Sequence, residues 1–205
     1  MIDSQDDHES LEHAIELLRA SLEGWLQFGS QSCPVRYIVD PATGRLVAPV
    51  PMAALLATEH LLMVPRDSDD ALALIVTPQQ LQHENALTDR WRAHHAEPEH
   101  VRWAEFWIES AKHAGWVFDG EALTRPNPLA EREPALLKRC NADRAALSRV
   151  CQRFAGVVVP DPVCVSVDPG GLLVRARFGV VRVPFPPDLG DAPGAIEGLF
   201  AAVSP

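Results

Sequence analysis

Side chains able to bind a phosphate group are scattered over the first 125 residues. The candidates stand on or beside predicted strands: Arg36, Arg45, Thr58, Ser110 and Lys112. Phosphate recognition needs such donors to converge from neighbouring strands. Lys112 is the only lysine of this stretch, although placement on the surface is an equally good interpretation of it. The donors are too few to define an anion site by themselves.

Histidines and cysteines do not show the spacing of a metal site. Five histidines cluster in the middle of the chain, but none stands at i and i+4 from another on one predicted helix face. We interpret them as solvated and predict no metal. The four cysteines form no Cys-x-x-Cys pair and are expected to be reduced thiols. The five histidines are His83, His94, His95, His100 and His113.

Four tryptophans lie close together, at positions 91, 103, 107 and 116. Flat aromatic rings suit the face of a planar ligand, and Trp116 is a candidate for that role. They equally suit a hydrophobic core or a dimer interface, where large aromatics concentrate, and we favour this second interpretation. No nucleophile elbow, phosphate-binding loop, zinc-protease helix or dinucleotide fingerprint is present.

The elements that must position these residues begin with a helix over residues 10–28, ended by Gly29. A hairpin follows, with strands over 35–39 and 45–50 around a turn of Asp, Pro and Gly. A short helix over 51–57 and strands over 59–64 and 71–76 come next.

Residues 78–94 predict another helix, which begins at Pro78. The stretch 101–112 fits both a helix and a strand, and its pattern slightly favours the helix. Residues 116–123 predict a strand.

Three prolines around residues 124–134 mark a linker and the best domain boundary. After it, one apolar helical stripe runs from Leu136 to Phe154 and ends at Gly156. Three alternating strands follow over 163–167, 172–177 and 180–185, and a last helix covers 192–203. We therefore predict an acidic tail and helix over 1–30, a domain over 31–125, and an αβββα domain over 126–205.

Two runs of the last third carry a family resemblance. Residues 141–147 read NADRAAL, and residues 167–185 read VDPGGLLVRARFGVVRVPF. They resemble the C-terminal domain of haem-utilisation proteins. In that family the domain follows a flavin-type split barrel of the pyridoxamine 5'-phosphate oxidase kind. The resemblance covers residues 133–203 well and 31–125 only through the order and spacing of strands.

The resemblance implies an α+β protein with a six-stranded split β-barrel over 31–125, which makes 105–112 a strand. It implies a homodimer that binds FMN or a tetrapyrrole in a cleft between subunits. It places His60 near that cleft, beside Thr58, where it could bond a flavin or ligate haem. The cofactor-binding candidates are Arg36, Thr58, His60, Ser110, Lys112 and Trp116.

Three functions stay open at this stage. The first is a cofactor-binding split-barrel protein; if it is an enzyme, it is an oxidoreductase that uses a bound flavin or haem. The second is a non-catalytic regulator or scaffold, with no cofactor, whose degenerate barrel binds a partner protein. Arg144 supports the second, because the family has a histidine there and arginine cannot ligate iron. A histidine-metal enzyme is the weakest hypothesis.

Net charge and hydropathy limit the partners and the cellular location to be expected. The net charge is −10 and the acidic excess lies in the first 125 residues, which argues against nucleic acid and anionic membranes as partners. No apolar run is long enough to span a bilayer, and the acidic N-terminus does not resemble a signal peptide. A cytoplasmic location is therefore expected.

Overall fold

The computed structural model describes residues 4–65, 70–100, 102–186 and 192–204. The chain divides into two compact units, Met1–Pro126 (unit 1) and Asn127–Pro205 (unit 2). Each unit contains helices and an antiparallel sheet, which confirms a mixed α+β protein. None of the helices in these ranges is long and apolar enough to cross a membrane.

Unit 1 is built on one antiparallel sheet that, within the described residues, has eight strands rather than the six expected. The strand order is β2-β1-β5-β6-β7-β4-β3, and β8 also pairs with β7. The sheet curls, because β2 near one end of this order comes within 8 Å of β4 near the other. The strands are β1 Glu23–Phe28, β2 Gln31–Arg36, β3 Ile38–Val39, β4 Leu46–Val50, β5 His60–Val64, β6 Leu72–Gln80, β7 Arg102–His113 and β8 Trp116–Asp119.

Four helices accompany this sheet: α1 Ser4–Ser21, α2 Met52–Leu56, α3 Ala86–His95 and α4 Gly120–Leu123. The first prediction for this region was wrong at its end, because α1 stops at Ser21 and residues 23–28 form a strand. Leu22 has a φ of +50°, which breaks the helix. The segment then pairs with β2 on one edge and β5 on the other, so sheet pairing overrides its helical spacing.

The helix predicted from Pro78 was also wrong at its start. Pro78 lies inside β6, opposite Phe106 of β7. Proline is tolerated there because β5 pairs only with Leu72–Ile75, which leaves the other edge of β6 open at Pro78. Helix α3 begins at Ala86, where the Asn85 side chain accepts a hydrogen bond from the backbone N–H of Leu87 at 2.9 Å.

The ambiguous stretch 101–112 is a strand from Arg102 onward, so its helical pattern misled, and the strand that the resemblance implied for 105–112 is present. β7 pairs with β6 along one edge and with β4 and β8 along the other. The strand predicted over 116–123 ends at Asp119, whose side chain caps α4 by accepting from Glu121 N at 2.8 Å.

Unit 2 has two helices where one was predicted before its sheet. Asn141 ends the first, and the Asp143 carboxylate begins the second by accepting from Ala146 N at 2.8 Å. The predicted three-stranded meander is present in the order β11-β10-β9. The elements are α5 Glu133–Cys140, α6 Arg144–Ala155, β9 Val163–Asp168, β10 Gly171–Ala176, β11 Gly179–Pro184 and α7 Ala192–Ala202.

The outer edge of β9 is covered by polar side chains that precede, belong to or directly follow α5. The Asn141 amide donates to Cys164 O and accepts from Cys164 N, both at 2.9 Å. Buried Glu133 accepts from Val167 N at 3.0 Å, and Asn127 donates to Val167 O at 2.7 Å. These bonds satisfy backbone groups that an edge strand would otherwise leave unpaired.

We predict that Asn141→Ala lowers the free energy of unfolding by about 2 kcal/mol, because it leaves two backbone groups of Cys164 without partners. The neighbouring Arg144 is exposed, so Arg144→Ala should change stability by no more than about 0.5 kcal/mol. Urea unfolding followed by far-UV circular dichroism compares the two variants. Hydrogen exchange of the β9 amides should quicken in Asn141→Ala alone. Equal stabilities would show that the β9 edge does not need this side chain.

Candidate functional site

The outward face of the unit 1 sheet carries two rows of side chains, fixed by strand register. In one row Gln27 lies opposite Leu61, Leu61 opposite Ile75, and Ile75 opposite Ser110. The next row aligns Trp25, Met63, Ala73 and Lys112 in the same way. Ile75 is 50% exposed, so this face is partly apolar and open.

A cleft of about 530 Å³ opens at the end of the first row, within the size range of small-molecule sites. It is built from the end of β1, the turn before β5, the middle of β6 and one residue of β7. Its walls mix apolar and polar groups. The lining residues are Gln27, Phe28, Gly29, Thr58, Glu59, His60, Leu61, Ile75, Val76, Thr77 and Glu109.

His60 is the most constrained polar group of this cleft. It begins β5, is 8% exposed, and lies opposite Phe28. Its Nε2 is 2.6 Å from the carbonyl oxygen of Ala54 in α2. Because a carbonyl only accepts, Nε2 carries a proton, so the tautomer compatible with this bond is the one with its lone pair on Nδ1. A ring oriented in this way can accept a hydrogen bond or ligate a metal.

Two carboxylates make the cleft acidic. Glu59 and Glu109 both line it, and Thr77 Oγ1 donates to Glu109 Oε1 at 2.5 Å. Among the described residues that line it there is no lysine or arginine. The nearby Arg45 lies over the Trp107 ring, 3.2 Å from its centroid, and pairs with Glu105 at 3.1 Å. A phosphate group placed here would meet the negative charge of Glu59 and Glu109.

The structure places the predicted site residues in four locations. Thr58 and His60 line the cleft together. Ser110 lies opposite the cleft residue Ile75, and exposed Lys112 lies opposite Ala73, so both stand beside the cleft without lining it. Trp116 lies at the end of the β7–β8 hairpin, opposite His113.

Arg36 lines a different cavity, of about 250 Å³, together with Glu23, Glu97 and Glu99. One wall of this cavity is Trp91, whose Nε1 donates to the backbone oxygen of Arg36 at 2.7 Å. With Trp103, Trp91 belongs to a buried cluster, so these two tryptophans are core residues. The predicted phosphate donors therefore do not converge.

Sequence reasoning missed Glu109, which lines the cleft at a local irregularity of β7. In the β6–β7 ladder, Ile75 pairs with Ser110 and Val76 with Ile108, so Glu109 is an extra residue in β7. Such a bulge has no clear signature in single-sequence alternation. Glu59 was visible beside Thr58 and His60, but a lone carboxylate in a strand gave no reason to select it.

The histidines are less solvated than predicted. His94 and His113 are buried, and His94 Nδ1 donates to the Arg90 carbonyl at 2.8 Å. His95 donates from Nε2 to the Tyr37 carbonyl at 2.8 Å. Within the described ranges no three His, Cys, Asp or Glu side chains converge on a point where a metal ion could be held.

Burial sets the protonation of two side chains of unit 1, His95 and Tyr37. Desolvation lowers the pKa of His95 to about 4, against a weaker opposing effect of its bond to Tyr37, so this ring is neutral near pH 7. Desolvation, reinforced by the charge of Glu23, raises the pKa of Tyr37 well above its ordinary value. Both groups therefore act as neutral hydrogen-bonding groups of the unit 1 core.

The comparisons with known proteins support the fold and do not assign a function. Neither a family model nor a curated protein matches the chain. The crystal structure of Atu2129, a protein of unknown function from Agrobacterium tumefaciens, is similar with a TM-score of 0.71 at 15% identity. The match covers 96% of this chain and 95% of that one, so the two proteins share a fold.

A heme binding protein from Mycobacterium smegmatis matches with a TM-score of 0.43 at 16% identity. The match covers 95% of this chain and 97% of that one.

We predict that acid destabilises the protein partly through His95. Its folded pKa of about 4 lies below the ordinary 6.5, so the unfolded chain takes up this proton first as the pH falls. As the pH falls from 6.5 to about 4, the free energy of unfolding should decrease by at most about 3 kcal/mol because of this group, since the ring is not fully buried. His95→Gln should flatten the dependence, and His83→Gln, on an exposed residue, should not. Urea unfolding at a series of pH values, followed by tryptophan fluorescence, measures this pH dependence. Identical dependences of the free energy of unfolding on pH for wild type and His95→Gln would contradict the contribution given to His95.

Proposed function

We propose that the protein is a split-barrel protein that binds a tetrapyrrole in the cleft of unit 1. The observation that carries this proposal is the placement of His60, which lines the cleft and whose ring is held by the bond of Nε2 to Ala54 O, so that Nδ1 is the nitrogen left for a ligand. In this proposal His60 ligates the metal of the tetrapyrrole. When bound, haem supplies redox or ligand-binding chemistry at its iron, and the chain contributes orientation and exclusion of water.

Between the two cofactor classes that the family resemblance implies, the cleft favours the tetrapyrrole. FMN does not fit, because its phosphate requires cationic donors and the lining offers Glu59 and Glu109 instead. A haem carries its carboxylates along one edge, so they can extend to solvent while the metal meets a histidine. Ligation by His60 also does not depend on residue 144, where this chain has arginine in place of the family's histidine.

We predict that haemin added to the purified protein gives a saturable Soret band and that His60→Gln weakens this binding by about tenfold or more. Glutamine can still donate to Ala54 O, so the variant removes the ligating nitrogen and keeps the local bond. Arg144→Ala is the matched control and should titrate as wild type.

The same titration with FMN should show no saturable quenching of flavin fluorescence. Unchanged haemin affinity in His60→Gln, or FMN binding tighter than haemin binding, would overturn the proposal.

We further propose that the outward face of the unit 1 sheet pairs with a second copy, which places the ligand between subunits. Ile75 is 50% exposed and Trp107 is 44% exposed, and both stand on that face. Ile75 also lines the cleft, so a partner copy on this face would cover the cleft opening. Exposed aromatic and aliphatic side chains of this kind are typical of homodimer interfaces.

We predict that the wild-type protein sediments as a dimer and that Ile75→Glu makes it a monomer, because the variant buries a charge in the interface. Phe178→Ser is the matched control, since Phe178 is 66% exposed but belongs to a unit 2 hairpin. Sedimentation velocity at micromolar concentration measures the oligomeric state of the wild type and of both variants. A wild-type monomer, or an Ile75→Glu dimer, would show that this face does not pair copies.

A non-catalytic regulator or scaffold is the second candidate function. It is favoured by the same exposed side chains of the sheet face, which lie beside the carboxylates Glu59 and Glu109. A monomer that binds neither haemin nor FMN would support this candidate. Its partner would then be a protein with an apolar patch bordered by basic side chains.

A further inference from the structure

Unit 2 contains a pair of cysteines whose side chains contact each other in its core. Cys140 is the last residue of α5 and is fully buried, and Cys164 in β9 is 2% exposed. The Cys164 thiol contacts the Ser166 carbonyl at 3.6 Å and also lies within reach of the Cys140 sulfur. Cys151 belongs to the same core cluster but not to this bonded pair. The arrangement is independent of the cleft in unit 1.

The backbone around the pair is held in place by Asn141. This side chain makes two hydrogen bonds of 2.9 Å with Cys164, one to its N–H and one to its carbonyl. It therefore fixes the residue after Cys140 against Cys164. A β-bulge adds to the constraint, because Val174 pairs with Cys164 and Leu173 with Ser166, which leaves Val165 extra. Disulfides need this kind of fixed, short approach between two backbones.

The two thiols are chemically unequal. The hydrogen bond from Cys164 stabilises the Cys140 thiolate and lowers the pKa of Cys140 despite its burial. The same bond, together with burial, raises the pKa of Cys164 well above its ordinary value. Burial also raises the pKa of Cys151, and burial with nearby Glu99 raises that of Cys33. Cys140 is thus the cysteine with thiolate character, and a thiol that can resolve its oxidised form is beside it.

We propose that Cys140 and Cys164 are a reversible modification site, which a peroxide-class oxidant converts to an intramolecular disulfide that ties the end of α5 to the edge strand β9.

The chemistry balances with peroxide as the oxidant. The Cys140 thiolate attacks one peroxide oxygen, the O–O bond breaks, and the products are a sulfenic acid and, after protonation, water. The sulfur of Cys164 then attacks the Cys140 sulfur, the S–O bond breaks, and a second water leaves with the Cys164 proton. The two thiols lose two electrons and hydrogen peroxide gains them. A dithiol reductant reverses the change by thiol–disulfide exchange.

Burial controls the rate of this reaction. Neither sulfur is accessible in the closed structure, so peroxide reaches Cys140 only when the end of α5 separates transiently from β9. The Asn141 bonds oppose that opening. Loss of the Asn141 side chain should therefore speed oxidation, and the peptide map shows whether the link that forms still joins Cys140 to Cys164.

The test uses the full-length wild-type chain, treated with hydrogen peroxide, denatured, alkylated and examined by intact mass and non-reducing peptide mapping. We expect a loss of about 2 Da, the two hydrogens removed, with alkylation confined to Cys33 and Cys151. The map should link the peptides of Cys140 and Cys164, and dithiothreitol should restore both thiols. A chain that keeps both of these thiols alkylatable, or that links either to Cys33 or Cys151, overturns the proposal.

Matched variants separate the pair from its surroundings. Cys151→Ser should keep the link, Cys164→Ser should abolish it, and Asn141→Ala should form it several-fold faster than wild type. Should a variant fail to fold, the wild-type peptide map still decides. Equal rates in wild type and Asn141→Ala would overturn the role given to opening of α5.

Discussion

The pairing of β7 with three other strands is the constraint on which unit 1 depends. This strand runs from Arg102 to His113 and pairs with β6 along one edge and with β4 and β8 along the other. Glu109 lines the cleft on its outward face, while the alternating residues Phe106 and Ile108 are buried in the core. Gly120 packs against the same stretch, since an added Cβ would overlap the Ile108 carbonyl oxygen. The site and the core are thus set by one strand.

The parts of the fold that could be predicted from sequence are those in which local pattern and tertiary pairing agree. The meander of unit 2 alternates cleanly, and the turn between β3 and β4 has a local basis: Asp40 accepts from Ala42 N at 2.9 Å and from Thr43 Oγ1 at 2.7 Å. The predictions failed where pairing overrides spacing. The segment with Trp25 and Leu26 continues a helical pattern, but it pairs with β2 on one edge and with β5 on the other. Nothing in its local sequence indicates this pairing with two strands.

The candidate site was predictable in residue type and not in location. Thr58 and His60 share one stretch of chain, so any fold that placed one near a cleft placed both. Arg36 belongs to β2, whereas Ser110 and Lys112 belong to β7, so their convergence with Thr58 and His60 depended on the order and register of the strands. The structure leaves Ser110 and Lys112 beside the cleft, and the carboxylates Glu59 and Glu109 line it instead. The charge of the lining is therefore opposite to the charge that phosphate donors would have given it.

The residues that carry the family resemblance explain why it transfers architecture better than chemistry. In the run Asn-Ala-Asp-Arg, Asn141 bonds the edge of β9 and Asp143 begins α6. Both positions need short polar side chains for backbone reasons, whatever ligand the protein binds. Arg144 follows them on the exposed surface and is free of that requirement. An arginine at this position is therefore compatible with the fold of unit 2, because the bonds that hold β9 and begin α6 come from its neighbours Asn141 and Asp143.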